Sequence, residues 1–303
     1  MNGFEKFIHA LQSTMPTPTL FGWFHLLWLG IIIIACTLII VFRKKIATSP
    51  KWIRISILIT GIVCILLEIY KQLVFSLDVV DGVAIWDYQW YAFPFQFCST
   101  PMYIMTIAGA IWAEKSKFRD FLYSYLATFS IFAGLVVMIY PGNVFISMIG
   151  INIQTMIVHG AMLVVGVLLL ATQSVKIKQI TLLKALAVFG VTLTIALFMN
   201  LTWKWAGGLE TGETFNMFFI SPYYECTLPL LSLIYANVPY IIFLLIYVIG
   251  FTLAAYIVIL FAMLCKYLNT KIVDHINQQK INKSLTGSTE SSDQNVNEES
   301  KKE

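Results

Sequence analysis

The chain has 303 residues, of which 58% are hydrophobic and only 12% are charged, and its formal net charge is +4. Soluble globular domains carry about 25% charged residues, so this composition excludes an ordinary soluble domain and indicates an integral membrane protein. Outside the apolar segments we find no compact basic patch with interleaved aromatic residues, which gives no support to nucleic-acid binding.

Several apolar runs are long enough to cross a bilayer, because a helix needs roughly 20 apolar residues to span about 30 Å of hydrocarbon. In chain order, the predicted spans are residues 20–41, 53–75, 93–113, 118–140, 151–171, 181–201 and 238–265. We therefore expect an all-α fold, a polytopic bundle of about seven transmembrane helices, and we place it in the cell membrane as a multi-pass protein.

Lys and Arg are concentrated in the loops after the first, third and fifth spans, and short basic loops stay on the cytoplasmic side. The loops between them are poor in basic residues, and residues 77–90 carry three aspartates. This pattern predicts an amino terminus outside and a cytoplasmic carboxyl terminus. Residues 1–268 form the predicted transmembrane domain, and the polar residues 269–303 lack the apolar groups needed to offset the entropy of ordering, which predicts a disordered cytoplasmic tail.

Polar and ionisable side chains within the spans are costly in hydrocarbon, so each marks either a function or a pairing between helices. At about 1.5 Å per residue, they all fall in the outer part of the predicted bundle. They are His25, Glu68, Lys71, Gln96, Cys98, His159 and Asn200. The inner half is almost free of such groups, so the sequence predicts one polar layer below the outer surface.

Structural explanations exist for most of this layer. Glu68 and Lys71 are three residues apart on one helical face, where they can simply neutralise each other. Gln96 and Asn200 fit hydrogen bonds between neighbouring helices. His25 lies among aromatic residues and fits an interfacial belt.

Cys98 and His159 together fit nucleophilic chemistry. The thiolate is the reactive form of cysteine, and an imidazole can take the thiol proton. A third polar group at the same depth would then fix the histidine tautomer, and the candidates are Glu68, Asn200 and Gln96. This set permits acyl transfer through a thioester, with no soluble cofactor and no metal. Two alternatives stay open for Cys98: a small buried thiol, or a disulfide with Cys226.

The third span begins with the unusual stretch FPFQFCSTP, residues 93–101. If its helix begins near Phe95, free N–H groups of the first turn would lie beside Cys98 and could stabilise an oxyanion. Pro101 would then remove a backbone hydrogen bond and widen the helix locally.

Residues 203–237 form the longest stretch between spans and combine glycines with many aromatic residues. We expect a lid-like loop on the outer side. Its pieces FNMFFISPYY and PLLSLIY are predicted to be interfacial or re-entrant, covering the outer mouth of the bundle.

The motifs FPFQFCSTPMY, MIVHG and FMNLTWKWAGG, followed by TFNMFFISP, resemble those of the YwaF-like family of integral membrane proteins, which includes animal transmembrane protein 164. The resemblance extends from about residue 68 to residue 260. It implies seven helices and, as described for the animal member, coenzyme-A-independent transfer of fatty acyl chains between phospholipids by a Cys and a His. These match Cys98 and His159. Many bacterial members have His two residues before the Cys, where this chain has Gln96, which makes His159 more necessary.

The expected function is therefore acyl transfer between phospholipids or lysophospholipids at the outer leaflet. Cys98 is the expected nucleophile and His159 the acid and base, oriented by Glu68 or Asn200. Four residues are expected to contact substrate: Lys71, Gln96, His25 and Lys204. The alternative is a transporter or small-ligand receptor whose polar outer pocket binds without covalent chemistry.

Overall fold

The computed structural model describes residues 3–142 and 144–299. The chain divides into one unit over Met1–Ile259 and a second over Leu260–Glu303. The helices are α1 (Gly3–Leu11), α2 (Trp23–Ala47), α3 (Pro50–Ser76), α4 (Thr100–Ala110), α5 (Lys117–Tyr125), α6 (Ile131–Ile139), α7 (Ile149–Ala171), α8 (Gln179–Trp205), α9 (Leu231–Tyr235) and α10 (Tyr240–Glu299). Two short antiparallel strands, β1 (Leu77–Val80) and β2 (Val83–Trp86), form a hairpin after α3.

Within the described residues, six helices are long and apolar enough to cross a membrane. They are α2, α3, α7, α8, α10 and the continuous helix Lys117–Ile139, in which the π-helical turn Leu126–Ser130 joins α5 to α6. These helices match six of the predicted spans and confirm the all-α, polytopic membrane fold. Their apolar surfaces make the chain a multi-pass integral membrane protein.

The predicted third span is not one continuous helix. Trp90–Ala92 form a 3-10 turn, residues 93–99 are irregular, and α4 covers only 11 residues. Pro94 has no N–H and disfavours a helical conformation at the preceding residue, so a helix cannot extend through this point. Pro101 lies in the first turn of α4, where no intrahelical bond is lost. The expected start near Phe95 and the widening at Pro101 are therefore wrong.

This segment nevertheless runs along most of α3. At one end the Gln72 amide donates to the carbonyl of Ala92 at 2.7 Å, and at the other Arg54 donates to the carbonyl of Trp112 at 3.2 Å. Residues 54–72 of α3 cover about 27 Å, close to the roughly 30 Å of a hydrocarbon core. An irregular half and a helical half therefore take the place of the third spanning helix.

Glycines allow α3 and α4 to pack closely, as is common between helices in membranes. A Cβ added at Gly109 would lie 2.6 Å from the Cα of Leu58, and one added at Gly61 would lie 2.7 Å from the backbone nitrogen of Thr106. Because these contacts are to backbone atoms, a side-chain rotation cannot relieve them. The close packing fixes α4, and with it the residues just before α4, against α3.

The hairpin after α3 was not expected. Asp81 and Gly82 at its turn both have positive φ, 51° and 76°, as a tight two-residue hairpin turn requires. The helix α1 packs against both strands, and the Tyr70 hydroxyl of α3 donates to the carbonyl of Leu11 at 2.8 Å. Together, α1 and the hairpin cover the end of α3.

The last helix, α10, continues to Glu299, whereas composition predicts disorder from about residue 269. The disorder of this tail, the domain boundary at 268 and the membrane orientation of both termini stay predictions. Residues 300–303 lie outside the described residues.

The close contact of α3 with α4 predicts that Gly109→Ala lowers stability by about 1–3 kcal/mol, because the added methyl group meets backbone and not a flexible side chain. The matched control is Gly190→Ala in α8, where an added Cβ has nothing within 4 Å and the helix gains propensity. Thermal unfolding of the purified protein in detergent checks both. Equal melting temperatures for the two variants would contradict the packing argument.

Candidate functional site

Cys98 lies in the irregular half of the third segment, directly before Ser99, the N-cap of α4. The amides of Ser99 and Thr100 both donate to the carbonyl of Gln96, at 2.9 and 3.1 Å, and close a turn around the cysteine. The Thr100 hydroxyl hydrogen-bonds the Tyr125 hydroxyl at 2.9 Å in the bundle core. The half-buried thiol is therefore held by a hydrogen-bonded turn and does not belong to a helical turn.

A buried ion pair lies in the carboxyl-terminal part of α3. The Lys71 ammonium is 2.6 Å from the Glu68 carboxylate, and Glu68 is only 5% exposed. Gln72 donates to the same carboxylate at 2.9 Å and Gln154 of α7 donates to it at 3.4 Å. A charge pair in a dry environment needs such additional hydrogen bonds to offset its desolvation. Of the two partners left open for Glu68, the structure pairs it with Lys71 and not with His159.

His159 is held in one orientation by its own helix. Its Nδ1 lies 2.8 Å from the carbonyl of Thr155, and since a carbonyl can only accept, Nδ1 carries the proton of the neutral ring. Nε2 is then an acceptor, and it is buried without a hydrogen-bond partner in the described part of the chain. The orienting group is therefore a backbone carbonyl, not Glu68, Asn200 or Gln96 as the sequence suggested.

The bond to Thr155 also sets the depth of the imidazole. Helical side chains lean toward the amino-terminal end of their helix, and here the ring extends one turn back along α7 to Thr155. The preceding residue, Gln154, donates to Glu68, so the ring lies near the level of the ion pair. Within the described residues, His159 Nε2 makes no hydrogen bond to the Cys98 thiol.

Gln96 and Asn200 bind Asn216–Phe219, part of the piece predicted above to be interfacial or re-entrant and called the re-entrant segment below. The Gln96 amide accepts from the N–H of Phe218 at 2.8 Å and donates to the carbonyl of Asn216 at 3.0 Å. The Asn200 amide accepts from the N–H of Met217 at 2.8 Å and donates to the carbonyl of the same residue at 3.0 Å. Both amides therefore bind the backbone of this segment and not a neighbouring spanning helix, and neither hydrogen-bonds His159.

The re-entrant segment, Asn216–Phe219, packs into the core of the protein. Met217 and Phe218 are fully buried, and the Tyr247 hydroxyl of α10 donates to the carbonyl of Phe218 at 2.9 Å. Phe218 and Phe219 both have positive φ, 59° and 56°, which costs about 1–3 kcal/mol for each such residue. The hydrogen bonds from three different elements hold this strained backbone in place.

The other two predicted site residues, His25 and Lys204, have contacts of their own. His25 is fully buried, its Nδ1 accepts from the N–H of Phe21 at 3.0 Å, and its Nε2 lies 2.8 Å from the carbonyl of Met138. With both ring nitrogens occupied by backbone, His25 has no group left for substrate. Lys204 is exposed at the end of α8, with its ammonium 4.8 Å from the ring centroid of Tyr223.

The five cysteines are all free, so Cys98 and Cys226 do not form the disulfide considered above. Within the described residues, no group of three or more His, Cys, Asp or Glu side chains is placed to hold a metal ion.

Sequence reasoning missed several polar residues that complete these networks. They are Gln72, Gln154, Thr155, Asn216 and Tyr247. Gln154 could have been found, because its side-chain amide lies within an apolar span, five residues before His159. The backbone role of Thr155 has no sequence signal, because any residue supplies a carbonyl.

A family model described as the TMEM164 family matches residues 20–272. Neither the curated proteins nor the solved structures contain a match to the chain. The matched range includes Cys98, His159, the ion pair and the re-entrant segment.

The re-entrant segment predicts that Asn200→Leu speeds hydrogen exchange at the Met217 amide. Leaving a buried backbone group unpaired costs about 1–3 kcal/mol, which corresponds to an increase of roughly 5- to 150-fold if local opening controls the exchange. Asn237→Leu is the control, since Asn237 is exposed and its side-chain amide donates to the carbonyl of Leu233. Hydrogen–deuterium exchange with mass spectrometry checks both, and unchanged protection in Asn200→Leu would contradict the assignment.

Proposed function

This chain belongs to the TMEM164 family, and from that premise we propose that it is a membrane-embedded acyltransferase. It moves fatty acyl chains between phospholipids or lysophospholipids at the outer leaflet, through a thioester on Cys98 and without coenzyme A. The proposal rests on the family resemblance of Cys98 and His159 and on the state of the His159 ring.

The observation that carries the proposal is the unpartnered Nε2 of His159. Buried polar atoms are almost always hydrogen-bonded, and an exception needs an explanation. The carbonyl of Thr155 holds the proton on Nδ1, which leaves Nε2 with a lone pair and no donor. A base that must take a proton from a thiol or a hydroxyl needs this tautomer.

In the first half-reaction, His159 Nε2 takes the Cys98 proton and the sulfur attacks the ester carbonyl of a donor phospholipid. The carbon–sulfur bond forms as the ester carbon–oxygen bond breaks. The proton on Nε2 passes to the leaving oxygen, which departs as the hydroxyl of a lysophospholipid. The products are an acyl-thioester on Cys98 and a neutral His159.

In the second half-reaction, Nε2 takes the proton of an acceptor lysophospholipid hydroxyl, whose oxygen attacks the thioester carbonyl. The carbon–sulfur bond breaks, the new ester forms, and the proton returns to the sulfur. Since water entry would convert this step into hydrolysis, a buried thioester favours transfer to lipid.

The ion pair fits a role in substrate binding. Lys71 keeps 18% of its side chain exposed while Glu68 holds its ammonium, and a lysine positioned in this way can pair with a lipid phosphate as a point charge. Glu68 then positions Lys71 instead of His159. Gln96 and Asn200 support the site indirectly, by holding the re-entrant segment.

The direct test is acyl exchange between phospholipids by the purified protein in vesicles without coenzyme A. We expect Cys98→Ala to lower the rate by at least about 10³-fold, as removing a nucleophile does. Cys36→Ala is the matched control, since Cys36 is a half-buried thiol on α2. The control should keep the wild-type rate.

Unchanged exchange in Cys98→Ala, with wild-type expression and melting temperature, would exclude the thioester mechanism and favour a binding function for the buried polar region. Loss of acyl exchange in both cysteine variants would indicate that the substitutions disturb folding and not the chemical step. Lowered melting temperatures of both variants would show such a folding defect.

A further inference from the structure

A groove of about 470 Å³ lies between the segment that leads to Cys98, the end of α8 and the start of the lid-like loop. This volume is within the roughly 300–1,000 Å³ of small-molecule sites. Its main walls are four aromatic rings, those of Trp90, Phe93, Trp203 and Phe215. None of these residues has a role in the proposed reaction.

The aromatic walls are fixed by contacts with each other. Trp203 stacks on Phe215 with ring centroids 5.1 Å apart, and the Trp90 ring is 5.0 Å from that of Trp203. Phe93 lies 5.5 Å from Phe215. A Cβ added at Gly208 would overlap the Trp203 ring, so the loop backbone lies directly on this ring. The groove is therefore preformed.

The indole N–H of Trp203 and the hydroxyls of Thr202 and Thr211, three polar side-chain groups of the walls, bind other parts of the protein. The indole N–H of Trp203 donates to the Tyr224 hydroxyl at 3.0 Å. The hydroxyl of Thr202 donates to the carbonyl of Met199, and that of Thr211 to the carbonyl of Gly208, each at 2.8 Å. A ligand therefore meets aromatic and aliphatic carbon, which favours hydrocarbon over a polar solute.

The groove is continuous with the lipid-facing surface of α8. On this helix, Phe198 and Trp205 are 59% and 69% exposed, as side chains in contact with lipid are. The 27 residues of α8 extend about 40 Å, enough to reach both interfaces of the bilayer. An apolar groove that opens onto this surface is in contact with the acyl chains that surround the protein.

We propose that this groove binds the acyl chain of a membrane phospholipid. Trp90 and Phe93 begin the segment that carries Cys98, and Phe215 directly precedes the re-entrant segment, so a bound chain lies beside both. That the bound chain belongs to the lipid that reacts at Cys98 rests on the proposed function. The binding itself does not.

The experiment uses the full chain in phosphatidylcholine vesicles that contain a trace of phosphatidylcholine with a diazirine on its acyl chain. After irradiation, peptide mass spectrometry should place adducts on groove residues such as Met199 and Phe215. Ala206→Trp should fill the groove from its exposed rim and lower this labelling at least fivefold. Val191→Trp, at a 60% exposed position of α8, should leave the labelling of the groove unchanged.

Equal labelling in Ala206→Trp and Val191→Trp would overturn the proposal, as would stronger labelling of the groove by a diazirine sterol than by the phospholipid. Thr202→Phe, a second filling variant, replaces Ala206→Trp if that variant does not fold. Cys98→Ala separates the two proposals: groove labelling should persist in it, whether or not acyl exchange is lost.

Discussion

Non-helical backbone inside a membrane must find hydrogen bonds from somewhere other than a helix, because the hydrocarbon offers none. Two such segments meet in this protein: the irregular half before α4, which carries Cys98, and the re-entrant segment Asn216–Phe219. The Gln96 side chain of the first segment binds the backbone of the second. Asn200 and Tyr247 bind the second segment from α8 and α10. These hydrogen bonds fix the non-helical backbone on which Cys98 lies.

Most of the buried polar side chains satisfy hydrogen bonds of the protein itself. Gln96 and Asn200 stabilise backbone, and His25 does so between Phe21 and Met138. Glu68 and Lys71 satisfy each other with help from Gln72 and Gln154. What remains is the Nε2 of His159, an acceptor without a donor in the described residues, and the thiol of Cys98, which the proposal makes the nucleophile. The proposed chemistry uses these two groups for bond making, and the ion pair for binding the lipid phosphate.

Hydrophobic length and polarity were sufficient to predict six long helices, because these depend on local composition. The spacing of Glu68 and Lys71 allowed their ion pair but did not decide it against a pairing of Glu68 with His159. Hydrophobic length and polarity were insufficient for the third span: its apolar length predicted one continuous helix, although Pro94 disfavours a helix at that point. Hydrogen-bond partners that are far apart in sequence could not be predicted either. A side-chain amide such as that of Asn200 offers the same donor and acceptor to a ligand, a histidine or a backbone. The hairpin was predictable from Asp81-Gly82, a common turn pair, yet its strands are short enough to be lost among the spans.

The central claim is that Cys98 carries an acyl group. Incubating the protein with a phospholipid that bears an isotope-labelled acyl chain, followed by peptide mass spectrometry, tests it most directly. The account predicts one labelled acyl chain on the peptide containing Cys98, released by neutral hydroxylamine as a thioester is, and absent in Cys98→Ala. Acyl exchange that proceeds at the wild-type rate with no acyl group on Cys98, or with the label on another residue, would contradict it.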